Sequence, residues 1–180
     1  MRYYDALGLA PALALDGDDL KKRFYERSRQ WHPDKFSRAG AEAREKALEM
    51  TAALNDAFRT LRDPVSRAEY FLQECGMELS SKDAPPELLE EVFELNMALE
   101  ELRGGDESAR PQLAAAQERF QAMLSEADAG LAGLFARHDA SHLPEGRRWL
   151  DEIRAALNRR RYISNLVREV EKELNVHLAN

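Results

Sequence analysis

In Trp31-His32-Pro33-Asp34-Lys35-Phe36 a polar tripeptide, His32-Pro33-Asp34, is set between two helical segments. The segment before it cannot easily run through His32, because a residue preceding proline is pushed out of the α region. Upstream, Leu20, Phe24, residue 27 and Trp31 repeat at steps of four, three and four, which lines them on one helix face. Arginine interrupts that stripe, and Arg27 is expected at its rim, with its stem packed and its head reaching water or a carboxylate. Opposite stand Lys22, Tyr25, Glu26 and Arg29, flanked by Lys21 and Arg23, a mostly basic outer surface. Asp16 is placed to cap the start of this helix, with Asp19 three residues later adding a second carboxylate at the positive terminus. Downstream of Gly40, the residues Ala47, Thr51, Leu54, Phe58 and Leu61 recur at four, three, four and three. That spacing predicts a long helix facing Phe24 and Trp31, hence two antiparallel helices joined by an exposed loop.

The rest of the chain also reads as helix. Pro and Gly fall in clusters between apolar runs of period 3 to 4, and no sustained alternation of period 2 is present, so the expected fold class is all-α. Tyr3 to Leu9 is a short apolar helix, and Ala10-Pro11 a connector. Asp63-Pro64 is a cap followed by proline at the first helical position, opening a short helix from Val65 to Cys75 that Gly76 ends. Ser80 to Pro86 reads as a linker, which divides the chain into a first domain over 1–75, a connecting stretch over 76–85 and a second domain over 86–180. The second domain carries three amphipathic stripes. The first runs through Leu88, Val92, Leu95, Leu99 and Leu102 and stops at Gly104-Gly105; the next runs from Leu113 through Phe120 to Leu134. The last begins near Pro144 and continues from Leu150 to Leu174. Short connections between such helices predict an antiparallel three-helix bundle.

Of the 180 residues, 33% are charged and 44% hydrophobic, the balance of a soluble globular protein. No run of about 18 apolar residues exists and Met1-Arg2-Tyr3-Tyr4 opens no apolar signal segment, so the expected compartment is the cytoplasm, without a membrane. The net charge of −7 is uneven: up to Cys75 there are 13 Lys+Arg against 13 Asp+Glu, and beyond it 13 against 20. An acidic second half argues against general nucleic-acid binding, which needs a basic field to displace counterions from phosphates. Cys75 is the only cysteine, which excludes an internal disulfide and a thiol-rich metal site.

Three further features carry possible chemistry. His32 and Asp34 could act as a base and its orienter, but no serine or cysteine nucleophile accompanies them. His138 and His142, four apart, could share a metal on a helix; no third ligand is identifiable and Pro144 points to a loop, so coincidence is the better reading. On the first helix of the second domain, Leu89, Phe93 and Met97 form an extra apolar stripe interleaved with Glu90, Glu94 and Glu101. Spacing alone leaves two accounts open, a helix packed against two neighbours or an exposed contact patch.

The tripeptide at the mouth of a helical hairpin, behind a basic helix, resembles the J domain of DnaJ-type co-chaperones. Tyr3-Tyr4-Asp5-Ala6-Leu7-Gly8-Leu9, Trp31 to Lys35, and Asn55 to Pro64 match that pattern in order and spacing. With Arg67-Ala68-Glu69-Tyr70-Phe71-Leu72 and an acidic three-helix C-terminal part, the whole chain is similar to the HscB family, co-chaperones of iron–sulfur cluster assembly. The apolar stripe broken by Arg27 departs from the family's pattern. The cysteine-rich N-terminal zinc module of some relatives is missing, so no metal or other cofactor is expected.

The resemblance implies an activator and not an enzyme: a protein that stimulates ATP hydrolysis by a DnaK- or HscA-type chaperone and brings it the scaffold protein IscU. His32, Pro33, Asp34 and Lys35, with Lys21, Lys22, Tyr25 and Arg29, would then face the chaperone. Leu89, Glu90, Phe93, Glu94, Met97 and Glu101, with Tyr162 of the last helix, would face the scaffold. The alternative is a J-domain scaffold or co-chaperone with a different client.

Overall fold

A computed structural model describes residues 1–80, 85–142 and 145–176, and all regular structure among them is helical. Seven α-helices are present among these residues: α1 (Arg2–Leu7), α2 (Gly17–Gln30), α3 (Ala41–Arg62), α4 (Pro64–Glu74), α5 (Leu89–Arg103), α6 (Arg110–Ala140) and α7 (Glu145–Val176). Ser81–Ala84 of the expected linker, and Pro144 at the expected start of the last helix, lie outside the described residues. The chain divides into two compact units, Met1–Glu78 with Phe135–Leu150, and Leu79–Leu134 with Asp151–Asn180. A boundary in the linker therefore does not account for the whole division, because Phe135–Leu150 belongs with the N-terminal residues.

In the first unit the helix ends follow from local chemistry. The Asp16 carboxylate accepts from the amides of Asp18 and Asp19, at 2.8 and 2.9 Å, and opens α2. Asp63 accepts from the Ser66 amide at 2.7 Å and opens α4, with Pro64 at its first position. Helix α1 is shorter than expected because Gly8 turns into the left-handed region, at φ 66°, and ends it at Leu7. Helices α2 and α3 pack through the stacked rings of Phe24 and Phe58, 4.3 Å apart, above the buried Leu20, Leu54 and Leu61. Arg27 is half-buried, as a rim position requires, and its guanidinium lies over Gly8, with Nη2 only 2.6 Å from where a Cβ would stand. The positive φ at Gly8 favours glycine, and a side chain there would also oblige the flexible end of Arg27 to move.

The loop from Leu9 to Asp16 is fixed by polar contacts that no periodicity announces. The Tyr4 hydroxyl donates to the Ala12 carbonyl at 2.7 Å. Arg67, buried on α4, donates to the carbonyls of Leu13 and Leu61 at 2.8 and 2.6 Å. The Asp139 carboxylate accepts from the amides of Leu13 and Ala14, at 2.9 and 2.6 Å, and stands 2.8 Å from His138 Nδ1. Burial pushes the Tyr4 phenol well above its ordinary range and pulls the Arg67 guanidinium down.

The second unit is held by the apolar stripes of α5, α6 and α7, with Leu95, Leu99, Leu113, Phe120, Ile163 and Val170 buried in one cluster. Helix α7 runs against α6: Arg110 donates to the Leu174 carbonyl, and Arg160 pairs with Asp128 further along. It runs alongside α5, since Glu87 meets Arg159 at 3.1 Å while Arg103 meets Glu173 at 2.7 Å. These pairings give the up, down, up order of a three-helix bundle.

Candidate functional site

Two candidate surfaces stand out, one in each unit. The first is the loop after α2. It is less irregular than expected, because Pro33–Phe36 forms a single 3-10 turn. His32 initiates that turn: its Nδ1 accepts from the Asp34 amide at 3.3 Å, and its carbonyl accepts from the Lys35 amide at 3.0 Å. Pro33 suits the first position of such a turn, since its φ is preset and no amide is needed there. The Asp34 carbonyl accepts from the Ser37 hydroxyl at 2.9 Å, closing the turn on its far side.

With the loop's backbone engaged inward, the Asp34 carboxylate is left outward. Its side chain is 91% exposed, with His32 Nδ1 as its recorded ionic neighbour at 3.5 Å. His32 Nδ1 thus faces both the amide and the carboxylate of Asp34, which engages the ring in shaping the loop. Trp31 and Phe36, on either side of the tripeptide, stack with ring centroids 5.8 Å apart and planes at 8°. Lys21, Lys22, Tyr25, Arg29 and Lys35 are exposed, as an outward basic face requires, and Pro33 is half-buried. Arg23 is drawn aside: it pairs with Asp19 at 2.7 Å and donates to the Gly8 carbonyl at 2.8 Å.

The second surface is the outer face of α5. Its inner residues Leu95, Ala98, Leu99 and Leu102 are buried, whereas Leu89, Phe93 and Met97 are 56%, 66% and 50% exposed. Between the two accounts left open by spacing, this decides for an open stripe within the described residues. Glu90, Glu94 and Glu101 are exposed around it. Tyr162 is half-buried and packs against the bundle core, so only part of it can belong to an outer surface.

Other candidates contribute no reactive constellation. Burial raises the Cys75 thiol above its ordinary range, with the Arg147 charge opposing, which disfavours the thiolate. Helix α6 ends at Ala140, so His138 and His142 do not share a helix, and no described group of three His, Cys, Asp or Glu could hold a metal ion. No helix of the described residues is long and apolar enough to cross a membrane.

An outward Asp34 on a turn between paired helices is the arrangement of a J domain, and a DnaJ domain model matches residues 2–70. A model for the HSCB C-terminal oligomerisation domain matches residues 84–171. A co-chaperone protein HscB homolog of Vibrio cholerae is 33% identical, over 96% of this chain and 96% of its own length. A homolog from Neisseria meningitidis is 31% identical over 85% of this chain and 95% of its own. Among solved structures, chaperone HscB from Vibrio cholerae superposes with a TM-score of 0.62, at 31% identity and 96% coverage of both chains. Human co-chaperone protein HscB shares the fold, with a TM-score of 0.68 at 23% identity. The chain belongs to the HscB family of J-domain co-chaperones.

Proposed function

We propose that this protein stimulates ATP hydrolysis by a DnaK- or HscA-type chaperone and delivers to it an IscU-like scaffold during iron–sulfur cluster assembly. The J domain implies a chaperone of the Hsp70 type, and the observation that carries the mechanism is the outward carboxylate of Asp34 on a turn whose backbone is already engaged. A carboxylate so placed suits a charge-assisted pair with an arginine of the ATPase. Lys21, Lys22, Arg29 and Lys35 would meet an acidic groove beside it, with Tyr25 adding apolar contact; such a field speeds encounter and makes binding salt-sensitive. Hydrolysis takes place in the partner, so this chain acts as activator and not as enzyme.

The open stripe of Leu89, Phe93 and Met97, rimmed by Glu90, Glu94 and Glu101 and extended by the exposed part of Tyr162, would hold the scaffold. An acidic rim favours a partner whose own contact face is basic. The unit of Met1–Glu78 with Phe135–Leu150 would thus act on the ATPase and that of Leu79–Leu134 with Asp151–Asn180 on the client. Carrying both contacts on one chain raises the client's effective concentration at the ATPase. The test is a titration of purified chaperone with wild type and Asp34→Asn, reading the rate of ATP hydrolysis. Wild type should stimulate and the variant should not; equal stimulation by both would sink the mechanism.

A further inference from the structure

Trp31 closes α2, and its carbonyl is among those that a helix end leaves without an intrahelical partner. The single hydroxyl proton of Thr51 on α3 is shared between the Trp31 carbonyl, at 3.1 Å, and the carbonyl of Ala47 one turn back, at 2.8 Å. The second contact is the back-bond open to any helical threonine; the first spans 20 residues and ties α3 to the residue just before His32. The same Trp31 stacks on Phe36, the last residue of the turn, so the two residues that flank His32–Lys35 are in contact. Thr51 is half-buried on the inner stripe of α3 with the buried Ala47 and Leu54, a stripe whose spacing asks for apolar residues. The hydroxyl therefore calls for a reason besides packing.

We propose that Thr51 is a positioning residue for the Asp34 carboxylate, acting through the Trp31 carbonyl to hold the His32–Pro33–Asp34 turn in the form that docks the ATPase. This rests on the reading that Asp34 is the docking group. A turn anchored at its base does not lose conformational freedom again on binding, so the anchor favours affinity for the ATPase and not the rate of the bound complex. Removing the hydroxyl while keeping the β-branched shape isolates its effect.

The experiment titrates a purified DnaK-type chaperone with the full chain as wild type, Thr51→Val, Thr51→Ser and Asp34→Asn, and follows amide hydrogen exchange of residues 32–37 in the free proteins. Thr51→Val should raise the concentration for half-maximal stimulation about fivefold, the factor one hydrogen bond's net contribution corresponds to, with the maximal rate unchanged. Its Asp34 and Lys35 amides should exchange faster while those of α3 do not, and Thr51→Ser should behave as wild type. A Thr51→Val variant with wild-type half-maximal concentration overturns the inference, as does a Thr51→Ser variant impaired equally. Should Thr51→Val unfold α3, Thr51→Ser is compared with Thr51→Ala, and equal values for those two count against Thr51 in the same way. If Asp34→Asn still stimulates, the docking reading falls instead; exchange then decides separately whether Thr51 holds the turn, faster exchange supporting it and unchanged exchange overturning it.

Discussion

The turn at His32–Lys35 and the outer face of α5 are both exposed, yet they are built in opposite ways. The turn offers the Asp34 carboxylate, beside the exposed Lys35, and engages its backbone inward: His32 Nδ1 on the Asp34 amide, Ser37 on the Asp34 carbonyl, Thr51 on the Trp31 carbonyl. The face of α5 offers Leu89, Phe93 and Met97 on a regular helix, with acids at the edge and buried leucines beneath. A carboxylate presented on a fixed turn gives direction and timing at modest contact area, which suits a signal. A broad apolar stripe gives affinity with little directional demand, which suits a grip.

That contrast can be attacked at several points. The largest effect on stability is expected on the inner side of α5, where Leu99→Ala should cost about 2–5 kcal/mol in chemical denaturation by opening a cavity in the bundle. Leu89→Ala with Phe93→Ala, on the outer side, should leave the melting transition in place. Scaffold affinity should fall by about 2 kcal/mol or more, some 30-fold, as read by calorimetry. If the outer pair melts as the inner one does, the stripe is core after all.

Next in size is the salt response. Lys22→Ala with Arg29→Ala should weaken chaperone stimulation severalfold at low salt and flatten its dependence on ionic strength, while scaffold binding through the apolar stripe keeps its own. Arg27→Leu should be the mildest. It restores an apolar residue to the α2 stripe and gives up the contact over Gly8, so thermal stability should shift by less than about 1 kcal/mol with stimulation retained. Lost stimulation would make Arg27 a contact residue.

What the sequence disclosed is what helices write locally. The caps at Asp16 and Asp63, the stop at Gly76 and the stripes from Leu20 to Leu174 are set by neighbours a few residues away. Both candidate surfaces were legible for the same reason, one as a motif and the other as a surplus apolar stripe on a single helix. Hidden from it were polar contacts across long stretches of chain. Asp139 reaches Leu13 across 126 residues, and nothing in its surroundings marks it as the acceptor that fixes the loop before α2. Arg67 left a trace: it lies four residues before Phe71, on the buried face of α4, where an arginine must find carbonyls. Arg27 was recognisable as an anomaly, but its resting place over Gly8 depends on how α1 ends, which periodicity cannot tell.

The separation of signal from grip is tested most directly by one paired measurement. Wild type, Asp34→Asn and the Leu89→Ala/Phe93→Ala double variant are each assayed for ATPase stimulation without scaffold and for scaffold binding without chaperone. Asp34→Asn should lose stimulation and keep scaffold affinity, and the double variant should do the reverse. Loss of both activities in either variant, with the fold intact by circular dichroism, would contradict the account.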